Sequence, residues 1–178
     1  PKNIRVIADK VDSRRFYAVD AVAEILYSSE DGEMTFHADT LNLTVKGPIG
    51  NAGATIRRGD PRGGQDRIYA TPGREKDLWI AAYDGLYCSA ASEKFDFRVL
   101  DKVRTIYTFG FGKAKPGNDY PAIYLMGNQG QYGFFHFDDT ANSWVRINDD
   151  AHQYGLVLHI CGDMQEYGRG IAMGVPAS

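Results

Sequence analysis

The sequence FFHFDDTANSW at positions 134–144 decides how the chain is expected to fold. Aromatic residues lead into a polar turn, which ends on a small hydroxyl residue, Ser143, followed by a large aromatic residue, Trp144. This order resembles the S-x-D-x-G-x-T-W outline of an Asp-box hairpin, with Asp139 at the aspartate position. An aspartate in such a turn accepts hydrogen bonds from backbone N–H groups nearby. The final aromatic side chain is expected to fold beneath the hairpin and bury apolar area.

The same outline occurs twice more in the chain. Positions 27–36, YSSEDGEMTF, keep Ser29, Asp31, Thr35 and an aromatic residue, Phe36, at the Ser, Asp, Thr and Trp places. Positions 86–95, LYCSAASEKF, keep Ser89 but have lost the aspartate. The anchor positions 29, 89 and 137 lie 60 and 48 residues apart. A period of that size, built from short strands, is typical of propeller blades.

The composition limits the classes of protein to which the chain could belong. Its 178 residues suit one domain or part of a larger one. Eleven Tyr, nine Phe and twenty Gly suit short strands joined by tight turns. The net charge of −3 leaves no basic footprint for nucleic acid, and no apolar run reaches the length of a membrane span. Cys88 and Cys161 could form one bridge, although unpaired thiols are favoured.

The alternating pattern predicts an all-β fold made of Asp-box β-propeller blades. It contains about three and a half four-stranded antiparallel units, which form an incomplete propeller over the single region 1–178. The repeats span about 1–45, 65–100, 103–148 and an incomplete 155–178. The predicted first strands are 4–8, 67–71, 105–111 and 156–161, and the second strands are 15–19, 78–82, 122–126 and 170–174. The third strands are 24–28, 85–89 and 133–137, and the outer strands are 35–38, 95–100 and 143–147.

Two long connections and an unclosed ring follow from this pattern. Residues 46–64 and 113–120 are polar loops, which are either binding loops or places where insertions are tolerated. Three and a half blades do not close a ring, because propellers typically have about four to eight blades. An open half-ring would expose sheet edges, which soluble proteins avoid. The missing blades would come from another chain, a second copy or the rest of the parent polypeptide. The alternative is that the strands re-pair into a sandwich.

Three stretches resemble the C-terminal part of xyloglucan-specific endo-β-1,4-glucanases of glycoside hydrolase family 74, which are related to oligoxyloglucan reducing-end-specific cellobiohydrolases. They are FGFGKA at 109–114, YPAIYL at 120–125 and WVRINDDAHQYG at 144–155. Upstream stretches that fit the same pattern are VIADKV at 6–11, FYA at 16–18 and PGREKDLW at 72–79. The resemblance implies the last blades of a two-propeller enzyme that binds β-1,4-glucan in a cleft between its seven-bladed propellers. Phe137 in place of Ser, Ala91 in place of Asp and a shortened stretch after Arg169 depart from the family pattern.

No catalytic residue is expected in this chain. Glycoside hydrolysis normally needs two carboxylates that flank the scissile bond. The resemblance implies that the catalytic aspartates of the family lie in segments absent from this sequence. The consecutive pairs 138–139 and 149–150 cannot easily flank one bond, because strand neighbours point to opposite faces. Asp139 is expected to be a turn residue, and Asp149 and Asp150 to shape the turn after the outer strand.

Sugar binding needs only aromatic faces and hydrogen-bonding side chains on loops. The candidate substrate-binding residues are Asn118, Asp119, Tyr120, His152, Gln153 and Tyr154, and for each the alternative is a solvated loop or interdomain packing. Trp79 and Trp144 are instead expected in the core. His37, His136 and His159 have no ligand spacing, so no metal and no cofactor are expected.

The sequence therefore favours a propeller segment of a xyloglucan-active glycoside hydrolase that contributes glucan-binding surface and is inactive alone. The alternatives are a non-catalytic carbohydrate-binding module and a non-sugar protein-interaction propeller. The expected partners are a plant cell-wall polysaccharide, xyloglucan or another β-1,4-glucan, and the remaining blades from the parent chain or another copy. No nucleic acid and no membrane are expected as partners. The resemblance also implies secretion.

Overall fold

In the computed structural model, the described residues are 4–20, 23–41, 67–82, 85–89, 95–100, 103, 105–138, 144–152 and 157–174. This part of the chain is built from strands, with no helix among the described residues. It divides into two compact units, 1–101 and 102–178. The limits of the four repeats remain a prediction.

The first unit contains two four-stranded antiparallel sheets, each made from strands that follow one another in the chain. The first sheet has strands β1 (Val6–Ala8), β2 (Phe16–Asp20), β3 (Ile25–Ser29) and β4 (His37–Thr40). The second has β5 (Arg67–Ala70), β6 (Leu78–Ala82), β7 (Gly85–Ser89) and β8 (Phe97–Val99). Ser29 pairs with Phe16, and Ser89 pairs with Leu78, so the two sheets repeat the same register at the end of the third strand.

The two sheets of the first unit share one apolar core. Tyr17 and Leu26 from the first sheet pack in the same cluster as Leu78 and Tyr87 from the second. Asp9, which is buried, fixes the connection between β1 and β2 by accepting hydrogen bonds from Val11 N and Asp12 N. Its other oxygen accepts one from Tyr17 Oη (3.0 Å) and one from Lys76 N (3.0 Å) on the second sheet. The carboxylate therefore ties two blades together.

The second unit contains one four-stranded sheet and one two-stranded sheet. The former has strands β9 (Thr105–Gly112), β10 (Ala122–Asn128), β11 (Tyr132–Phe137) and β12 (Val145–Arg146). The latter pairs β13 (Val157–Gly162) with β14 (Gly170–Gly174). Ala122, Tyr124 and Phe134 pack against Val157 and Ile160 in a shared core.

Glycines allow β9 and β13 to approach closely. A Cβ atom on Gly112 would lie 2.8 Å from Gly162 Cα and 2.7 Å from Tyr124 Cε2. Both distances are too short for a real side chain, so the close contact between these strands depends on the absence of a side chain at position 112.

The predicted strand order is confirmed in every described strand, with ends that shift by up to two residues. Each sheet joins consecutive strands, so the re-paired sandwich is not what these residues form. Trp79 is buried as expected, but the prediction for Trp144 was wrong, because this side chain is half-buried and rests on Phe137 with ring centres 5.0 Å apart. Phe36 is 40% exposed, so it does not fold beneath its hairpin as expected.

The turn around Asp31 has the hydrogen bonds expected of its sequence. Asp31 Oδ1 accepts from Thr35 N (2.9 Å) and from Ser29 Oγ (2.8 Å), and Oδ2 accepts from Thr35 Oγ1 (2.6 Å). The predictions for 46–64, Ala91, Asp139 and Ser143 concern positions outside the described residues.

Candidate functional site

The first group of predicted site residues lies on the connection between β9 and β10. Asn118 Nδ2 donates to Asp138 O at the end of β11 (2.7 Å), and Asn118 N donates to Lys115 O (2.8 Å). Asp119 is exposed and Tyr120 is half-buried. Asn118 therefore fastens the loop to the sheet, and the role of Asp119 and Tyr120 in ligand binding stays a prediction.

Asp138 links three connections at this end of the sheet. Its Oδ2 accepts a hydrogen bond from Tyr167 Oη (2.8 Å) and lies 3.2 Å from Lys115 Nζ. Burial, helped by this hydrogen bond, raises the pKa of Tyr167 to about 12, so the phenol stays protonated and keeps donating. The arrangement holds the β9–β10 and β13–β14 connections next to β11.

A pocket of about 290 Å³ opens beside these residues, between β11 and β14. His136 lies in it, stacked on Tyr124 with ring centres 4.8 Å apart and 5.6 Å from the ring of Tyr167. Burial lowers the pKa of His136, so the imidazole is neutral at pH 7. Its Nε2 is buried and has no hydrogen-bond partner among the described residues.

The rest of this pocket is largely apolar. It is lined by Phe134, Ile147, Ile160, Ile171 and Ala172. A sugar ring needs polar partners for several hydroxyl groups, because buried hydroxyls without hydrogen bonds are costly. The pocket therefore suits an apolar side chain with one polar end better than it suits a sugar.

The second group of predicted residues, His152, Gln153 and Tyr154, follows β12, and His152 is the one that the structure describes. Asn148 organises this corner: its Oδ1 accepts from Phe134 N (2.8 Å) and Arg146 Nε (3.3 Å). Its Nδ2 donates to Asp149 O and His152 O, both at 3.3 Å. The most specific stretch of the resemblance, RINDDAHQYG at 146–155, thus includes a hydrogen-bonded corner.

His152 is held against this corner. Its backbone N donates to Asp149 Oδ1 (2.8 Å), and its ring Nδ1 lies 2.6 Å from the same oxygen. The hydrogen bond with the His152 side chain is the main cause of the lowered pKa of Asp149. Asp149 shapes the turn as predicted, and Asp150 pairs with Arg146 Nη1 at 2.7 Å. Gln153 and Tyr154 lie outside the described residues.

The two predicted groups lie at opposite ends of one sheet. Asn118 contacts Asp138, next to the paired residues Ile123 and Phe137. Asn148 contacts Phe134 N, in the half of β11 that begins at Tyr132, where Asn128 pairs with Tyr132. The structure therefore does not bring Asn118, Asp119 and Tyr120 together with His152 into a single site.

Several of the described aspartates have structural contacts that lower their pKa values. The pKa of Asp12 is lowered to about 2, mainly by hydrogen bonds from Arg14, and the pKa of Asp31 is lowered to about 2, mainly by the Thr35 hydroxyl. The pKa of Asp163 is lowered mainly by the backbone N–H of Gln165. A general acid for glycoside cleavage needs a raised pKa instead.

The thiol and imidazole groups do not assemble into a metal site within the described ranges, where no cluster of three or more His, Cys, Asp or Glu has suitable geometry. Cys88 is partly buried with its pKa raised to about 11 by burial, and Cys161 is exposed; both are free thiols. Within the described part of the chain, no helix is long and apolar enough to cross a membrane.

One aromatic feature was missed at the sequence level. Tyr107 and Tyr132 lie with ring centres 5.8 Å apart and hydroxyl oxygens 3.4 Å apart. They are 25 residues apart in the chain and belong to strands that are not hydrogen-bonded to each other. Only the register of β9 against β10 reveals this pairing, and strand alternation alone does not predict it.

Comparisons with known proteins agree with this fold. The chain is 37% identical over 97% of its length to the xyloglucanase Xgh74A of Acetivibrio thermocellus, and 36% identical over 95% to a xyloglucanase of a Paenibacillus species. Among solved structures, a family 74 enzyme of Niastella koreensis superposes with a TM-score of 0.75 at 29% identity over 97% of this chain and 23% of that one. The family 74 xyloglucanase of Xanthomonas campestris gives 0.72 at 31% identity over 97% of this chain and 22% of that one. No family model matches the chain.

In fold, the described sheets are blades of the β-propeller type seen in glycoside hydrolase family 74. In sequence, the chain corresponds to a segment of the xyloglucanases of that family. It spans about 20% of the length of the Acetivibrio relative and 15% of the Paenibacillus relative.

Proposed function

We propose that this chain is a propeller segment of a secreted xyloglucan-active glycoside hydrolase that contributes glucan-binding surface and lacks the catalytic carboxylate pair. The observation that carries the proposal is the joint match of sequence and fold to family 74 enzymes along almost the whole chain. The whole enzyme would degrade plant cell-wall polysaccharide, and this segment would help to hold the substrate.

The state of the described carboxylates supports the absence of catalysis. Asp138 holds Lys115 and Tyr167, Asp149 holds His152, and Asp163 caps its own turn. Each of these groups is stabilised as an anion or fixed by its neighbours, which is unsuited to proton donation to a leaving group. The turn at Asp31 acts in this proposal as an Asp-box corner that shapes a blade.

The test of inactivity is an assay of reducing-end release from xyloglucan by the purified 178-residue chain. The expected result is no release above the level of a heat-denatured sample. The Acetivibrio relative, which carries the name xyloglucanase, serves as the positive control. Release by this chain would show that its carboxylates are sufficient for cleavage and would overturn this part of the proposal.

The binding role rests on Asn118, Asp119, Tyr120 and His152 among the described residues, together with Gln153 and Tyr154. Asp119 and Tyr120 form one end of the sheet surface, and His152 belongs to the other. The test is retardation in a native gel that contains xyloglucan, with dextran as the control polymer. We expect xyloglucan to retard the chain and dextran not to retard it. Equal mobility in the two gels would contradict the binding role.

We propose that the remaining blades, from the parent chain or another copy, begin with a strand that pairs with β14. Among the described residues, β14 is hydrogen-bonded only to β13, although the other three sheets have four strands. In the first unit, Tyr87 and Phe97 from the third and fourth strands of one sheet complete the core over the neighbouring sheet. A third strand beside β14 would place an apolar side chain in the pocket at His136 in the same way.

A further inference from the structure

A β-bulge brings Tyr107 and Tyr132 together. The register passes from Met126 opposite Thr108 to Gly127 opposite Ile106, so Tyr107 is an extra residue in β9. A bulge changes the direction of a side chain and often lies beside a functional site. The central strand has Gly127 at this level, paired with Gly133 on β11, and the side chains of Arg146 and Asn148 lie over Gly133.

The adjacent turn holds this pair in a fixed position. Asn128 Oδ1 accepts a hydrogen bond from Gly130 N (2.9 Å), and Gln129 N donates to Gln131 O (3.1 Å). Gly130 has a φ of 98°, a conformation that glycine adopts without strain. The turn therefore presents Tyr132 and the amide of Gln131 on a rigid scaffold, which lowers the entropy cost of binding.

The ring of Tyr132 is accessible, Tyr107 is half-buried, and the adjacent turn adds the uncharged amide of Gln131. Tyr132 is 50% exposed, and Gln131 and Gly130 are exposed. The ring planes meet at 44°, so the two tyrosines cannot both lie flat against one planar ligand and instead offer two faces to successive units of a chain. Aromatic faces that flank amide donors and acceptors match pyranose rings, which have apolar faces and a rim of hydroxyl groups.

We infer that Tyr107 and Tyr132, with the side chain of Gln131, form a binding subsite for a neutral β-linked glucan chain. We call these three residues the tyrosine platform. It lies at the end of the sheet that carries Asn148 and His152, and it is distinct from the apolar pocket at His136. This inference rests on the proposed function, because it places a sugar polymer on this chain.

The experiment compares the 178-residue chain with its Tyr132→Ala and Tyr132→Phe variants in native gels over a series of xyloglucan concentrations. Tyr132→Ala is expected to weaken retardation roughly tenfold, because the truncation removes a central aromatic contact. Tyr132→Phe keeps the ring face and is expected to stay within about threefold of the unmodified chain. Val145→Ala, at a residue that is 55% exposed outside the platform, is the matched surface control and should bind as the unmodified chain does.

Two further measurements decide what a change means. Urea unfolding of each variant separates a lost contact from a lost fold, and Gln131→Ala tests the platform without removing an aromatic ring. If xyloglucan retards Tyr132→Ala and Gln131→Ala as strongly as it retards the unmodified chain, the platform is overturned while the proposed function stands. If the unmodified chain is not retarded at all, the proposed binding function fails and the platform fails with it. Retardation of all chains by dextran as well would also overturn the β-glucan assignment.

Discussion

Asn148 shows how a single side chain can organise a sequence stretch that resembles a binding motif. Its amide satisfies the backbone N of Phe134, which is buried, and two carbonyl groups of the following turn. His152, predicted as a sugar ligand, follows the same turn and is partnered by Asp149. The residue types of a polar loop do not distinguish a ligand contact from a corner, because both use amides, carboxylates and imidazoles.

Replacement of Asn148 by Ala is expected to lower the free energy of unfolding by about 1–3 kcal/mol, because a buried backbone N–H loses its acceptor. Urea unfolding followed by tryptophan fluorescence measures the change. His152→Ala is the matched comparison, and its effect should be smaller, since an exposed side-chain contact contributes about 0–1 kcal/mol. Equal losses in the two variants would show that Asn148 does not organise the corner.

The Asp31 turn makes stability depend on acid pH. The carboxyl has a lowered pKa of about 2 in the folded chain against an ordinary value of 3.8. A lowered pKa stabilises the fold above the ordinary value and loses this contribution as pH falls through about 2. Asp31→Asn should therefore unfold with a weaker dependence on pH between about 4 and 2 than the unmodified chain, as measured by thermal melts.

Thr35→Val provides the control for this prediction. The Thr35 hydroxyl is the main cause of the lowered pKa of Asp31, so its removal should give a pH dependence between those of the unmodified chain and Asp31→Asn. Parallel melting curves for all three chains in this pH range would contradict the assignment.

At the scale of strands, the order of the strands was predictable from the sequence, but the contacts between side chains of different strands were not. Alternating aromatic and β-branched residues bounded by Gly, Asp and Pro identify short strands, because such residues fit a pleated, half-buried surface. The residue Tyr107 is added by a bulge, and bulges depend on pairing between strands rather than on one strand's sequence. For the same reason, the sequence did not reveal that Asn118 and His152 lie at opposite ends of a sheet.

Phe36 and Trp144 show a second limit of the sequence at this scale. Both were expected to bury a large area beneath a hairpin, yet Phe36 is 40% exposed and Trp144 is half-buried. How much an aromatic side chain is covered depends on what packs beside the blade, and this neighbour is not encoded in the motif.

The contact between β9 and β13 should be sensitive to one added methyl group. Gly112→Ala would place a Cβ 2.8 Å from Gly162 Cα, so either the strands or Tyr124 must move. The expected cost is about 1–3 kcal/mol in the free energy of unfolding, as for other overpacked sites. Gly117→Ala is a useful comparison, because nothing lies within 4 Å of its Cβ position and any loss there comes from its φ of 91° alone.

At the scale of the whole molecule, the two-stranded sheet is the feature that most affects behaviour in solution. The β14 residues are exposed, among them Ile171 at 65% and Met173 at 60%. A strand edge with apolar side chains is a template for pairing with another chain. Among the described residues, β14 is hydrogen-bonded only to β13, so its other edge is open.

The chain is therefore expected to self-associate in a concentration-dependent manner, as measured by sedimentation velocity. Ile171→Lys should shift the population towards the monomer, because a lysine on an edge strand opposes edge-to-edge pairing. Val6→Lys, at an exposed position in the first unit, is the matched control. A monomer at all concentrations for the unmodified chain would show that the β14 edge is not a pairing surface.

The hydrogen bond from Lys76 N to Asp9 joins residues that are 67 positions apart. A nascent polypeptide cannot complete this bond until Lys76 has left the ribosomal exit tunnel, although β1 and β2 emerge much earlier. During that interval Asp9 Oδ2 can accept from Tyr17 Oη but not from Lys76 N, so the first sheet waits for one of the hydrogen bonds that hold its β1–β2 connection. The contact between these two blades is consequently a later event in synthesis than the formation of β1 and β2, and slower translation of the intervening codons would lengthen that delay.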